Sequence, residues 1–379
     1  MKKISLSLCA YAFAHAALAQ SPATASAASS SSVTVYGVID MSLVYTSKVG
    51  PNNGSRASLD SGDAMASRIG LRGREELGDG LAAIFQLETG FAGDDGAMAT
   101  PGTLFDRKSV VGLAGRFGTL TVGRQTDYLE EIGLQYTSFQ IFGGGGVRAA
   151  HFNSLDRITG ARSNNSLRFD TAEYGGLRGS FYYGAGEVAG SIRSGQSLGV
   201  GGNFRRGDVG VGAAYFQSKL ASDALPARAG DTELKTFTLG ASYQAGPAKL
   251  FTAWSQIRRP TQQPLASSGL VAITSATRAN VLDVGVDYAL DNKLHLLASV
   301  IHDRADLSRT AGGATRGSTT QFNLGVDLLL SKRTDVYAMA SRQQARDVLN
   351  PGIISAAYSS APADDSSQNV LRVGLRHKF

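Results

Sequence analysis

The sequence predicts an all-β fold: a 16-stranded antiparallel transmembrane β-barrel with short periplasmic turns on one rim and long extracellular loops on the other. Three observations predict it. Apolar and polar residues alternate with period two over segments of about 9–13 residues, long for soluble strands and suited to tilted strands crossing a bilayer. The connections between these segments alternate short and long. The chain opens on an export-type segment and closes on an aromatic residue at the end of an alternating strand.

Residues 1–19 read as a signal peptide. Met1-Lys2-Lys3 is basic, the stretch from Ile4 to Leu18 is mostly apolar, and Ala17-Leu18-Ala19 is a small-residue cleavage site. Residues 20–32 are small and polar and read as a flexible lead-in. The barrel is assigned to residues 33–379. In its first strand Val33, Val35, Ile39, Met41 and Leu43 share one parity, and Thr34, Tyr36, Asp40 and Ser42 the other. The dyad returns in Leu81-Ala83-Phe85-Leu87 against Gln86 and Glu88, and in Phe237-Leu239-Ala241-Tyr243. It returns again in Leu282-Val284-Val286-Tyr288 against Asp283 and Asp287, and in Phe322-Leu324-Val326-Leu328 against Gln321, Asn323 and Asp327.

Short turns are predicted at residues 78–80, 116–118, 175–176, 207–208, 246–247, 291–292 and 331–333. Long loops are predicted near 46–64, 92–105, 127–163, 187–196, 220–233, 259–277, 305–317 and 347–367. Seven short and eight long connections join sixteen strands and leave both termini on the short-turn rim. In hydrocarbon every backbone N–H and C=O needs an internal partner, and a closed sheet supplies them all. Tyrosines such as Tyr36, Tyr45, Tyr174, Tyr182, Tyr183, Tyr243, Tyr288 and Tyr337 are expected in interfacial girdles.

Composition excludes other classes. The 379 residues include 46 glycines and 9 prolines without a G-X-Y period, which excludes collagen. The single cysteine, Cys9, lies in the signal segment, so neither disulfides nor thiolate metal sites are expected beyond it. Mean hydropathy is −0.07 and no uncharged apolar run of ~20 residues follows the signal segment, which argues against helical membrane spans. A net charge of +6 is too modest to imply nucleic acid. The histidines outside the signal segment show no metal-ligand spacing, and no pairing of Ser with His or of two carboxylates stands out as an enzyme site. No enzyme activity and no cofactor are expected.

Several stretches carry a family resemblance. The segment Ser32-Val33-Thr34-Val35-Tyr36-Gly37-Val38-Ile39-Asp40 resembles the first strand of the general porins of beta-proteobacteria, the Gram-negative family of neisserial and Burkholderia/Bordetella-type trimeric porins. Ser67-Arg68-Ile69-Gly70-Leu71-Arg72-Gly73 followed by Glu75-Glu76-Leu77-Gly78-Asp79-Gly80-Leu81 is similar to the family's second strand and first turn. Val111-Gly112-Leu113, the run from Phe117 to Gln125, and Asn164-Asn165-Ser166-Leu167-Arg168-Phe169-Asp170 extend the likeness. The terminal Phe379 resembles the signal that hands outer-membrane proteins to the barrel-assembly machinery.

The resemblance implies a homotrimer in the Gram-negative outer membrane, in contact with lipid and lipopolysaccharide, that passes small hydrophilic solutes and often anions. It also implies that the third loop, 127–163, folds into the barrel as a constriction. The sequence departs from the family there: Phe139-Gln140-Ile141-Phe142-Gly143-Gly144-Gly145-Gly146 stands where members often carry a Pro-Glu-Phe-Gly-like motif. The glycine run reads either as close approach to the wall or as a loose loop tip.

The candidate pore-lining residues follow from parity and from that loop. Arg68, Arg72 and Arg74 lie opposite Ile69 and Leu71 and form a lumenal ladder, residues two apart being separated by about 7 Å. Arg168 and Lys108 share the lumen parity. Arg107 and Arg124 have the opposite parity but lie near strand ends, where a bulge could re-aim them. The loop contributes Asp127, Glu130 and Glu131, with Arg148 and Arg162. Mild anion selectivity is expected. The alternatives are a substrate-selective channel for an organic acid or nutrient anion, and a barrel used for structure or adhesion.

Overall fold

Alternation makes each segment a strand with one apolar and one wet face, and the backbone then needs neighbours on both edges. The computed structural model describes residues 31–49, 53–187, 189–190, 194–219, 233–258, 273–309, 314–346 and 366–379; the predicted signal segment and most of the lead-in lie outside them. Among the described residues the strands are β1 (Ser32–Val49), β2 (Gly54–Ser61), β3 (Arg68–Gly78), β4 (Leu81–Gly90), β5 (Lys108–Gly115), β6 (Gly118–Thr126), β7 (Arg162–Thr171), β8 (Leu177–Gly184), β9 (Ser197–Arg206), β10 (Val209–Ser218), β11 (Leu234–Ala245), β12 (Ala248–Arg258), β13 (Ile273–Ala289), β14 (Leu294–Arg309), β15 (Ala314–Leu329), β16 (Thr334–Arg346) and β17 (Ser367–Lys378). Between β6 and β7 lie α1 (Leu129–Tyr136), α2 (Phe139–Val147) and a 3-10 helix (Ala149–Ser154).

Every strand pairs antiparallel with its neighbours, and β1 pairs with β17 from Val38↔Lys378 to Thr46↔Val370, which closes the sheet. The other edge of β1 pairs with β2 through its upper half and with β3 through its lower half. β2 and β3 are therefore one wall strand broken at 62–67, and the wall has sixteen strands. At the seam the Gly37 and Phe379 backbones exchange hydrogen bonds of 3.0 and 3.1 Å, and the Phe379 ring lies against Gly37.

All seven predicted short turns join consecutive strands. Two predicted long loops are corrected. The 46–64 region is mostly the β1–β2 hairpin, and in 305–317 the strands continue to Arg309 and resume at Ala314. Pairing continues there because backbone hydrogen bonds do not require an apolar outer face, and a hydropathy alternation cannot register strand that has left the lipid.

Val33, Val35, Leu43, Leu71, Val111, Leu239, Leu282, Leu324 and Val373 are exposed on the outer face, and their odd-numbered or even-numbered neighbours turn inward. The girdle assignment needs correction for three tyrosines. Tyr36, Tyr182 and Tyr337 have lumen parity: Tyr182 and Tyr337 are buried, and Tyr36 donates to Glu88 at 2.9 Å. Tyr45, Tyr174, Tyr243 and Tyr288 are exposed.

Deleting Phe379 removes both seam hydrogen bonds and the ring on Gly37. We expect a loss of about 1–3 kcal/mol, read as a lower urea midpoint for conversion of the heat-modifiable folded band.

Candidate pore constriction

The lumen parity of the β10–β16 wall carries apolar side chains among its polar ones, and the third loop packs on them. Tyr128, Leu129, Ile132 and Tyr136 pack with Tyr182, Ala214, Phe216 and Ala253. Phe142, Val147 and Ala150 pack with Val281, Leu297, Ile301, Tyr337, Met339 and Ala64. The Tyr136 ring fills a slot left by wall glycines: a Cβ on Gly212 or Gly240 would come within 2.7 Å of it. In α2, Gly143 has φ 68°, and a Cβ there would sit 2.2 Å from the carbonyl oxygen of Ala64. The glycine run is thus a close approach to the inward-bent 62–67 segment rather than a loose tip. Neither helix was anticipated, because eight- and nine-residue helices carry little periodicity of their own.

Polar clamps fix the loop at several points. Ser138 donates its N–H and its hydroxyl to the two oxygens of Asp283, at 2.7 and 2.5 Å. His151 lies buried between Asp156, 2.6 Å from Nδ1, and Asp283, 3.3 Å from Nε2. Burial alone would lower its pKa, but Asp156 and then Asp283 outweigh this and push it up to about 10. Arg157, held at φ 64°, donates to Asp127 at 2.5 Å with its guanidinium 4.0 Å from the Phe216 ring centre. Gln321 donates to the Gly146 carbonyl at 2.5 Å, Thr236 to that of Leu155 at 3.1 Å, and Lys249 donates to Gln140.

These contacts cover the β10–β16 wall, Arg168 of β7 is buried beneath the loop as well, and Arg72 and Arg74 on β3 stay exposed. On that side Glu88 is the hub. Arg107 meets it at 2.6 Å and Arg68 at 3.6 Å, and Lys108 is its cross-strand partner. Arg162 donates to the Arg107 carbonyl at 3.1 Å. Burial would raise the Glu130 carboxyl, but Arg162, the Thr126 hydroxyl, Arg107 and Lys108 hold it below the usual range.

The predicted residues therefore separate by role. Arg68, Arg72, Arg74 and Lys108 keep the lumen parity, but Arg68 is tied to Glu88 and Arg74 to Glu76 at 2.5 Å. Arg72 is exposed, its guanidinium 5.5 Å from the Tyr36 ring centre. Arg168 is buried and clamped by Asp170 at 2.9 Å and Glu131 at 3.5 Å, so it braces the loop. Asp127, Glu130 and Glu131 serve as loop counter-charges to Arg157, Arg162 and Arg168. Arg148 caps the C-terminus of α2, half-buried.

Arg124 is a correction. The irregularity lies on β7, where Asn165 has φ 52°, not on β6. Arg124 therefore keeps the outward parity of Leu120 and Val122 and bonds the Asp106 carbonyl at 2.7 Å and Asn164 at 2.5 Å. Arg107 precedes β5 and is free to turn in. Sequence reasoning missed the Glu88 hub and the Asp283–His151 clamp. One available signal was apolar residues on both parities, as in Leu296-Leu297 and Val300-Ile301, which asks for cover on both faces.

A family model described as Gram-negative porin matches residues 5–348. The chain belongs to the Gram-negative porin family. It is similar to outer membrane porin protein 32 of Delftia acidovorans, 31% identical over 362 residues covering 92% of this chain and 94% of that protein. An outer membrane porin of Bordetella pertussis is 26% identical over 388 residues, with the same shares covered. Among solved structures, the anion-selective porin from Comamonas acidovorans superposes with TM-score 0.71 at 26% identity, covering 92% of this chain and 100% of that one. The porin is thus a non-enzymatic outer-membrane channel, and its short-turn rim is periplasmic.

Replacing Asp283→Asn in this porin leaves Ser138 and His151 without their shared carboxylate. We expect anchoring to weaken by about 3–5 kcal/mol, seen as noisier single-channel current and faster proteolytic nicking within 127–163. The His151 pKa rises from 6.5 to about 10 on folding. Its contribution is full below pH 6.5 and is lost as pH climbs through about 10, so wild-type current noise is expected to rise there.

Proposed function

We propose that this porin is a general diffusion channel for small hydrophilic solutes and ions, mildly anion-selective, homotrimeric, and narrowed by residues 127–163. One observation carries the selectivity. Beside the loop, Glu88 and Glu130 are outnumbered by Arg68, Arg107, Lys108 and Arg162, while Arg72 below them has no carboxylate partner among the described residues. Solutes pass between the β3–β5 wall and the loop. A confined basic wall concentrates anions and repels cations more strongly than an open surface of equal charge. The relative from Comamonas acidovorans is described as anion-selective, which supports the same sign. Homotrimeric assembly follows the family resemblance, and the hydrogen bonds of Phe379 to Gly37 at the β1–β17 seam support its reading as an assembly signal.

The reading is tested in planar bilayers under a salt gradient. Three-step openings and an anion-side reversal potential are expected. A unit charge ~8 Å away in water attracts an anion and repels a cation by about 0.5 kcal/mol each, so Arg72→Ser is expected to lower the anion-to-cation permeability ratio roughly fivefold. Arg68→Ser, which frees Glu88 from one of several partners, is expected to do less alone. The triple replacement of Arg68, Arg72 and Arg74 by Ser moves reversal toward cations, and an unchanged potential refutes their role. Saturation and block by one organic acid would instead identify a substrate-selective channel.

A further inference from the structure

The wall is not equally tall all round. β13 has 17 residues and β14 and β15 have 16 each, against 8–10 in β4–β9. Seventeen residues tilted ~45° climb roughly 40 Å, well beyond an apolar band of about 25 Å. The excess lies at the extracellular end, because the other end is held by tight turns.

On that tall side the outward face changes character in register. The row Leu250, Val286, Ala298, Leu324, Ala340 and Leu371 is apolar throughout. Higher up, Asn280, Arg304, Ser318 and Arg346 stand in one cross-strand row. Above them Lys235, Arg258, Arg278, Asp306 and Arg316 form another. Arg342 sits on the same face one row below His302. All six arginines are exposed.

Their partners leave this belt cationic. Arg316 pairs with Asp306 at 2.8 Å and Lys235 with Glu233 at 2.9 Å. Among the described residues, Arg258 and Arg342 bond neutral amides, of Gln256 at 2.8 Å and Asn369 at 3.0 Å. Arg278, Arg304 and Arg346 have no carboxylate partner among the described residues. Arg258 and Arg278 face each other directly. Like charges in that position destabilise a sheet unless an anion lies between them.

We propose that this outward belt on β11–β16 binds the phosphate groups of lipid A, the phosphorylated glycolipid anchor of lipopolysaccharide, in the outer leaflet. The height fits: the belt begins where the apolar rows end, at headgroup level. The chemistry fits too, since guanidinium forks bind phosphate oxygens in pairs. The acyl chains would lie on the apolar rows beneath. The inference rests on the outer-membrane location, not on ion selectivity, and its test reads no current.

The porin extracted from outer membranes into neutral detergent is titrated with bisphosphorylated lipid A, fully dephosphorylated lipid A or phosphatidylglycerol, with bound lipid counted by native mass spectrometry. Wild type is expected to bind the bisphosphorylated form at least roughly tenfold more tightly than the other two. Replacing Arg258, Arg278, Arg304 and Arg346 together by Ser is expected to abolish that preference, and replacing them by Lys to keep most of it. Folding of each variant is checked by heat-modifiable mobility. Equal wild-type binding of all three lipids, or undiminished preference in the Ser variant, overturns the proposal. So does loss of trimer without loss of lipid, which would make the belt a contact between copies. Should the Ser variant not fold, the wild-type preference decides: it must fall in about 1 M salt, and persistence there overturns the proposal.

Discussion

An unpaired strand edge has no place in hydrocarbon, and the pairing of β1 with β17 removes the last one. The rest of the molecule depends on that closure. It makes an inside and an outside, and so gives opposite tasks to adjacent residues of every strand. It also lets β1 serve β2 and β3 in turn, so that the break at 62–67 can bend inward without opening the wall. The bend brings buried Asp63 and Ala64 into the lumen, where Asp63 accepts from Ser42 at 2.5 Å and Ala64 meets Gly143.

The lumen is divided by two kinds of force. Apolar inward residues on β10–β16 cannot face water cheaply over so large an area, and the third loop covers them. Its backbone and His151 then need partners away from water, which Asp283, Asp156 and Gln321 supply. The less covered β3–β5 wall keeps its polar inward face and carries Arg68, Arg72, Arg107 and Lys108 around Glu88. Selectivity thus comes from where the loop does not lie as much as from where it does. Outside, the same asymmetry reappears as height, because the strands behind the loop rise above the apolar band and expose arginines there.

Much of the fold was legible in the residues. Period-two alternation marks strands because Cβ atoms alternate across a sheet, and Gly-Asp, Gly-Pro and Asp-Asn steps mark turns because they suit tight backbone angles. Parity sets Arg68, Arg72, Arg74, Lys108 and Arg168 on the face opposite the apolar residues of their strands, such as exposed Leu71 and Val111. For Arg124 it gives the outward face, and no bulge on β6 re-aims the side chain, because the irregularity lies on β7. Tyr36, Tyr182 and Tyr337 also obey parity, and it is residue type that misleads there: an aromatic suits a girdle, but it also suits a lumen that has a loop to pack. Parity could not tell that Arg168 would be spent on Glu131 and Asp170 while Arg72 stayed open, since a charge's partners come from other strands.

The sequence by itself determined the strand count, the faces and the two unlike rims, because these follow from neighbours one and two residues apart and from the requirement that every backbone group be paired. Only the tertiary structure decided the path of residues 127–163, the Asp283–His151 clamp and which arginines remain uncompensated. Those depend on groups more than a hundred residues apart in the chain, as Ser138 and Asp283 are, with a separation of 145. Distance in sequence carries no charge and no contact; the closed wall brings both.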